Sequence, residues 1–318
     1  MPVGPSNLRL RVIYGLIGAA MLLGSVWFSP WTFGLFFAAV QAVMLWEFYR
    51  MMRAGGYAPA TWIGVGVSIV MFGLFHAFIV GYSCYAKLFN WPIERTIYPA
   101  LSGLPQAISS QSEGVWLKLS GYATSSSFWL VGAGVLLVLL LLREVTLWPK
   151  YLQPFANIGA TVSGLLYVSL PMAFISGIVF DENDHYDYRR IFALLFLIWA
   201  SDIGAYAAGK TFGKHKMAPQ ISPGKTWEGW VGGFLLTLVV GWAVGFMLPE
   251  LPLMHRLVAA GAVAVFAPLG DLVESMLKRS VGVKDSGRIM PGHGGLLDRF
   301  DAFLLVLPVL ALLQLLAG

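Results

Sequence analysis

Residues 12–46 read VIYGLIGAAMLLGSVWFSPWTFGLFFAAVQAVMLW and contain no Asp, Glu, Lys or Arg. A helix crossing a bilayer needs about 20 consecutive apolar residues, so this run is too long for one span. Ser29-Pro30-Trp31 stands at its middle, and proline disfavours helix in the residue before it. The run is therefore predicted to form two helices, over 12–29 and 31–47, joined by a tight turn. Further charge-free runs cover 54–86, 119–142, 155–180 and 229–249. Three shorter ones, at 191–201, 257–270 and 302–318, reach spanning length only if acidic residues such as Asp202 and Asp271 lie at the helix ends. The expected fold is all-α, with about nine transmembrane helices.

Composition agrees with this reading. The 318 residues are 58% apolar and only 12% charged, with a mean hydropathy of +0.73. Soluble domains carry roughly a quarter charged residues, so an ordinary globular enzyme, a disordered chain and a nucleic-acid-binding domain are excluded. Cys84 is the single cysteine, which rules out an intrachain disulfide and a multi-cysteine zinc site. With the N-terminus inside, only Lys87, Arg95, Lys118, Arg189, Arg190 and Arg256 fall outside, and the other 15 of the 21 basic residues fall inside. The positive-inside rule favours that orientation. It predicts an uncleaved first helix, a multi-pass protein of the cell membrane and an outside C-terminus. The outside stretch near 84–124, with Pro92, Pro99 and Pro105, reads as irregular surface with an interfacial helix near Trp116. His76, alone within helix 3, reads as a packed or water-facing polar residue. Residues 1–190 read as a multi-spanning helical region and 191–318 as the region bearing the chemistry, in one integrated membrane unit.

Two inside segments hold polar residues that hydropathy does not explain. One runs from Ser201-Asp202 through Tyr206 to Ser222-Pro223-Gly224-Lys225-Thr226. A carboxylate near membrane depth is costly unless paired or hydrated, although Asp202 could also rest at the surface beside a lysine. Gly224-Lys225-Thr226 resembles the end of a P-loop, but Pro219 stands where the required first glycine belongs. Ser222-Pro223 is instead expected to cap a helix, leaving Lys225 beside free N–H groups able to take an anion.

The other segment is denser. Asp271, Glu274, Ser275 and Lys278 follow i, i+3, i+4, i+7 spacing and share one helical face. Asp298 and Asp301 repeat the i, i+3 spacing at the start of the last helix, with Arg279, Lys284, Arg288 and the turn Pro291-Gly292-His293-Gly294-Gly295 between. Carboxylates at two helix ends with basic residues between them suit Mg²⁺ and phosphates: magnesium is commonly held by one or two carboxylates plus phosphate oxygens, and basic groups offset the remaining charge. A positive-inside loop whose acids pair with its bases would account for the charges but not for the glycines.

These residues resemble the CDP-diacylglycerol synthase (phosphatidate cytidylyltransferase) family. The resemblance rests on Ser275, Leu277, Lys278, Arg279, Lys284, Asp285, Gly287, Pro291, His293, Gly294, Gly295, Leu296, Asp298, Arg299, Phe300 and Asp301, and upstream on Asp202-x-Gly-Ala-Tyr and Ser222-Pro-x-Lys-Thr. It covers roughly the last 120 residues. Met290 and Gly224 depart from the usual pattern, the latter removing one lysine that would reach a triphosphate.

The resemblance implies an all-α fold with nine membrane helices and transfer of a cytidylyl group from CTP to phosphatidate, giving CDP-diacylglycerol and pyrophosphate at a cytoplasm-facing site. It makes Asp271 and Asp298 the metal-bearing carboxylates, for one Mg²⁺ or two metal ions. Lys278 and Arg279 join them as catalytic candidates. Lys225, Ser222, Lys284, His293, Arg299 and Asp202 are candidates for binding substrate. The partners expected are CTP, phosphatidate and the bilayer, with a second copy of the chain as an option and no nucleic acid. Two alternatives remain: a CTP-dependent lipid kinase of the polyprenol or phytol type, and an ion-coupled transporter. Against the transporter, the polar residues gather at one membrane face and no inverted repeat is visible.

Overall fold

The computed structural model describes residues 6–90, 126–180, 185–287, 289 and 294–317. The expectations for Pro92, Pro99, Pro105 and the Trp116 region lie outside the described residues. Among them the chain forms nine helices: α1 (Ser6–Phe28), α2 (Pro30–Ala54), α3 (Thr61–Asn90), α4 (Ser126–Leu147), α5 (Pro154–Ile178), α6 (Tyr188–Phe212), α7 (Trp227–Ala243), α8 (Leu253–Ser280) and α9 (Leu297–Ala317). Helices α2 to α8 are each long and apolar enough to cross a membrane. The protein is thus an all-α, multi-pass membrane protein.

The first charge-free run divides at Pro30. Ser29 is extended, its side chain accepts from the Thr32 N–H at 3.1 Å, and the Thr32 hydroxyl accepts from the Ser29 N–H at 3.1 Å. This reciprocal capping satisfies two end groups that lipid would leave unpaired. Along α2, Phe33, Phe37, Val40, Met44, Phe48 and Met51 are all buried, and their spacing of three or four residues turns one stripe inward. The stripe enters a core that also takes Val168, Met172 and Ile175 of α5, Ile191, Leu194 and Ile198 of α6, Val263 and Ala267 of α8, and Leu304 and Leu307 of α9. The outward apolar side chains, such as Leu35, Val131, Leu235 and Val239, suit lipid. Several polar side chains inside the bundle are paired across helices. His76 is buried between the Ser176 hydroxyl at 3.1 Å and the Pro30 carbonyl at 2.8 Å. It is a packed polar residue that ties α3 to α2 and α5.

Helices α6 and α7 approach each other closely. A Cβ on Gly204 would lie 2.7 Å from the Gly232 carbonyl oxygen, and one on Gly233 would lie 2.6 Å from the Ser201 carbonyl oxygen. Small residues permit such contact where the hydrophobic effect cannot drive helices together. The result fixes Asp202 of α6 beside the chain segment that precedes α7.

That segment corrects one expectation. Ser222-Pro223 does not begin a helix. Ser222–Thr226 is strand β2, antiparallel to β1 (Lys216–Ala218), with Ala218 opposite Ser222 and Lys216 opposite Thr226. The cap of α7 is Thr226, extended at φ −129° and accepting from the Gly229 N–H at 3.2 Å. The hairpin pairs Ser222 with Ala218 in extended backbone, so the helix starts at Trp227, four residues later than expected and after Lys225. A second expectation also shifts, because α8 runs on to Ser280. Asp271 therefore lies nine residues inside the helix, about 13 Å from its end.

Candidate active site

The last three turns of α8 and the first turn of α9 face each other. The Ser275 hydroxyl donates to Asp271 Oδ1 at 3.2 Å. Lys278 Nζ bridges the two helices, 2.6 Å from Glu274 Oε2 and 2.7 Å from Asp298 Oδ1. Beside this bridge, one carboxylate oxygen from each of Asp271, Glu274 and Asp301 lies within 4.8 Å of the others. Like charges at this separation repel. Glu274 is fully buried and its Oε1 has no hydrogen-bond partner among the described residues, whereas the Asp271 side chain is 43% exposed. The group is therefore open on its Asp271 side and closed behind Glu274. A buried acceptor without a donor, next to two further carboxylates, fits a divalent cation bound through oxygen.

Lys225 joins the two polar segments. Its Nζ lies 2.8 Å from Asp271 Oδ2 and donates to the Pro268 carbonyl at 2.7 Å. Asp202 is exposed and lies within electrostatic reach of both Asp271 and Lys225. Asp298 is not one of the three clustered carboxylates but adjoins them through Lys278. It accepts from the Ser286 N–H at 3.1 Å and the Gly295 N–H at 2.7 Å, which draws both residues against the start of α9. Gly294 holds φ at +84° there, a conformation that glycine adopts without penalty.

The remaining candidates are less closely gathered. Arg279 is exposed and donates to the Val283 carbonyl at 3.3 Å. Lys284 and Arg299 are exposed, and Ser222 is half-buried in β2. His293 lies outside the described residues. Lys278 departs most from expectation. The positive-inside pattern places it at a wet border, but its side chain is only 11% exposed and is shared by two carboxylates. Its position one turn beyond Glu274 on the inward stripe is what buries it.

Reading the sequence for local motifs missed Glu47. This carboxylate of α2 is fully buried, and its Oε2 accepts from the Leu297 N–H at 2.8 Å and the Ser286 hydroxyl at 3.4 Å. Acceptance from a free N–H in the first turn of α9 also places negative charge at the positive end of a helix dipole. Gly287 and Gly295 pack against the same carboxylate, leaving no room there for a side chain. The available signal was an acid terminating a long apolar run. It is legible only as a boundary unless its partners, some 250 positions away, are known. Glu47→Ala should therefore destabilise the protein by about 1–3 kcal/mol through the orphaned Leu297 N–H. Thermal unfolding in detergent checks this, and an unchanged midpoint would mean that the contact contributes nothing.

Fold and site together define a multi-pass helical membrane protein with a cation-competent carboxylate group flanked by basic side chains. The chain belongs to the cytidylyltransferase family, whose sequence pattern matches residues 9–316. It is 29% identical over 314 residues to a phosphatidate cytidylyltransferase of Haemophilus influenzae, covering 95% of this chain and 96% of that protein. It is 43% identical over 177 residues to the phosphatidate cytidylyltransferase of Bacillus subtilis, covering 55% of this chain and 65% of the relative. A third relative of that name, from Staphylococcus haemolyticus, is 50% identical over 118 residues, or 37% of this chain and 45% of that protein.

Proposed function

We propose that this protein transfers the cytidylyl group of CTP to phosphatidate, giving CDP-diacylglycerol and pyrophosphate. The observation that carries the reading is the cluster of Asp271, Glu274 and Asp301 beside Lys225, inside a chain of this family. A phosphate oxygen of phosphatidate attacks the α-phosphorus of CTP in line as the bond to the pyrophosphate oxygen breaks. The nucleophile is already anionic near neutral pH, since the second pKa of a phosphate monoester is about 6, so no strong general base is required. The barrier is repulsion between two anions, which positioning and charge stabilisation lower.

Asp271, Glu274 and Asp301 would hold Mg²⁺, with Asp298 next to them through Lys278. When bound, the ion would screen the phosphates and stabilise charge on the departing pyrophosphate. Lys225, Arg279, Lys284 and Arg299 would bind phosphate oxygens, and His293 and its glycines would line the nucleotide's approach. Asp202 and Ser222 would border the opening. Residues 1–190 serve as the scaffold and 191–318 carry most of the site. A diacyl substrate explains why this chemistry lies among membrane helices, because the headgroup can reach the carboxylates while its chains stay in lipid.

Incubating purified protein with α-labelled CTP and phosphatidate in detergent tests the reaction. Label should move into a CDP-lipid, with pyrophosphate released. Label recovered in CDP would identify a kinase that transfers the γ-phosphoryl group, and unconverted CTP would remove the enzymatic reading.

The orientation has its own test. The site should face the cytoplasm in the cell membrane, because most basic residues then lie inside. In a Cys84→Ser background, single cysteines at exposed Lys214 and Lys284 should react with an impermeant maleimide only after the membrane is opened. Labelling of either in intact cells would reverse the topology.

A further inference from the structure

Helix α5 is not regular throughout. It is α-helical over Pro154–Gly164, passes through a π-turn at Leu165–Ser169, and resumes as α-helix over Leu170–Ile178. In the π-turn the Leu170 N–H reaches back to the Leu165 carbonyl. Pro171 follows at once and has no N–H to restore the regular ladder, so the local sequence sustains the irregular turn. An inserted residue of this kind rotates the side chains around it, and π-turns are found disproportionately at functional sites.

The side chain at the middle of the turn is Tyr167. Its ring leans on Phe48 of α2 with centroids 5.9 Å apart. Its hydroxyl is buried and has no hydrogen-bond partner among the described residues. Two other tyrosines of the bundle behave differently: the Tyr49 hydroxyl donates to the Thr161 carbonyl at 2.8 Å, and the Tyr186 hydroxyl donates to the Val26 carbonyl at 2.6 Å. Buried tyrosine hydroxyls usually find such partners, and leaving one unpaired costs free energy. The charged groups within electrostatic reach of Tyr167 are Glu274, Asp301 and Asp271, the three clustered carboxylates. Glu274 Oε1 among them is likewise buried and unpartnered. A donor and an acceptor, each without a partner among the described residues, thus lie within electrostatic reach of one another.

We propose that Tyr167 is a substrate contact, placed by the π-turn of α5 so that its hydroxyl donates a hydrogen bond to a phosphate oxygen held at the carboxylate group. The proposal rests on the cytidylyl-transfer reading for the identity of the phosphates. Both the triphosphate of CTP and the headgroup of phosphatidate present the required acceptor. The contribution comes from the 1–190 region, outside the 191–318 region that bears the family-like motifs.

Tyr167→Phe removes only the hydroxyl. Because that group has no partner among the described residues, the variant without ligand should melt at the wild-type temperature. A hydrogen bond to a charged group is typically worth about 10- to 100-fold in an equilibrium or rate, so kcat/KM should fall by that factor. A rise in KM for CTP alone assigns the contact to the nucleotide, a rise for phosphatidate alone assigns it to the lipid headgroup, and a fall in kcat alone assigns it to the transition state. Thermal stabilisation by MgCTP and by dioctanoyl phosphatidate gives a readout independent of turnover, and at least one of the two shifts should shrink in the variant.

Wild-type kinetics together with wild-type shifts for both ligands would overturn the proposal. So would a variant that fails to fold or melts early, since the hydroxyl would then have a structural partner. Absence of any CDP-lipid from the wild-type protein would instead sink the proposed reaction, while the two ligand-induced shifts would still report on Tyr167.

Discussion

Asp271→Asn should lower cytidylyl transfer by about 10²- to 10³-fold, the usual loss when one preorganised electrostatic contact to a transition state is removed. The substitution keeps the size of the side chain and one oxygen ligand. It removes the charge that would hold a cation against the triphosphate, and it leaves Lys225, 2.8 Å away, without its carboxylate partner. The protein should remain folded, because the Asp271 side chain is 43% exposed and its loss opens no cavity. Asp301→Asn should act in the same way. The double variant should lose far less than the product of the two single losses, since residues that act as one unit are strongly non-additive. Rates measured across a Mg²⁺ titration, with size-exclusion profiles as the folding control, decide this. Well-folded variants with near-normal turnover and unchanged Mg²⁺ dependence would remove the carboxylate group from the chemistry.

Lys278→Ala should have its largest effect on stability. The ammonium bridges Glu274 and Asp298 in a nearly closed environment, and deleting it leaves two carboxylates in the interior without their shared cation. Removing one partner of a buried ion pair typically costs about 3–5 kcal/mol. The same substitution at Arg279, which is exposed, should change stability little. Thermal unfolding of both variants in one detergent makes the comparison. Equal midpoints would mean that Lys278 is solvated and that the bridge has no structural weight. Asp298→Asn should share part of the Lys278 defect, because Asp298 accepts from that ammonium and from the Ser286 and Gly295 N–H groups.

The contrast between those two neighbouring bases shows where local reading reaches its limit. Ser29-Pro30 carries a helix break in its own chemistry, and the break lies where the sequence places it. The i, i+3, i+4, i+7 stripe from Asp271 to Lys278 likewise contains its own helical geometry. Neither pattern says what the stripe faces, so Lys278 could not be distinguished from a wet topology signal until α9 was seen against it. The β1–β2 hairpin defeats the cap signal of Ser222-Pro223 because strand pairing with Lys216–Ala218 is a tertiary choice that overrides local preference. Glu47 and Tyr167 were harder still. Each lies within or at the edge of an apolar run that hydropathy reads only as lipid-soluble. The significance of Glu47 arises from Ser286, Gly287, Gly295 and Leu297, and that of Tyr167 from the carboxylates of α8 and α9 within its electrostatic reach and from a π-turn that no periodicity announces.

The claim on which the account depends is that the carboxylates of α8 and α9 form a cation site. Mn²⁺ is an observable stand-in for Mg²⁺, and its binding to detergent-purified protein can be followed by paramagnetic resonance in the presence of CTP. The account predicts saturable binding to the wild-type protein that is lost or greatly weakened in a folded Asp271→Asn variant. Equal Mn²⁺ binding by both proteins would contradict it.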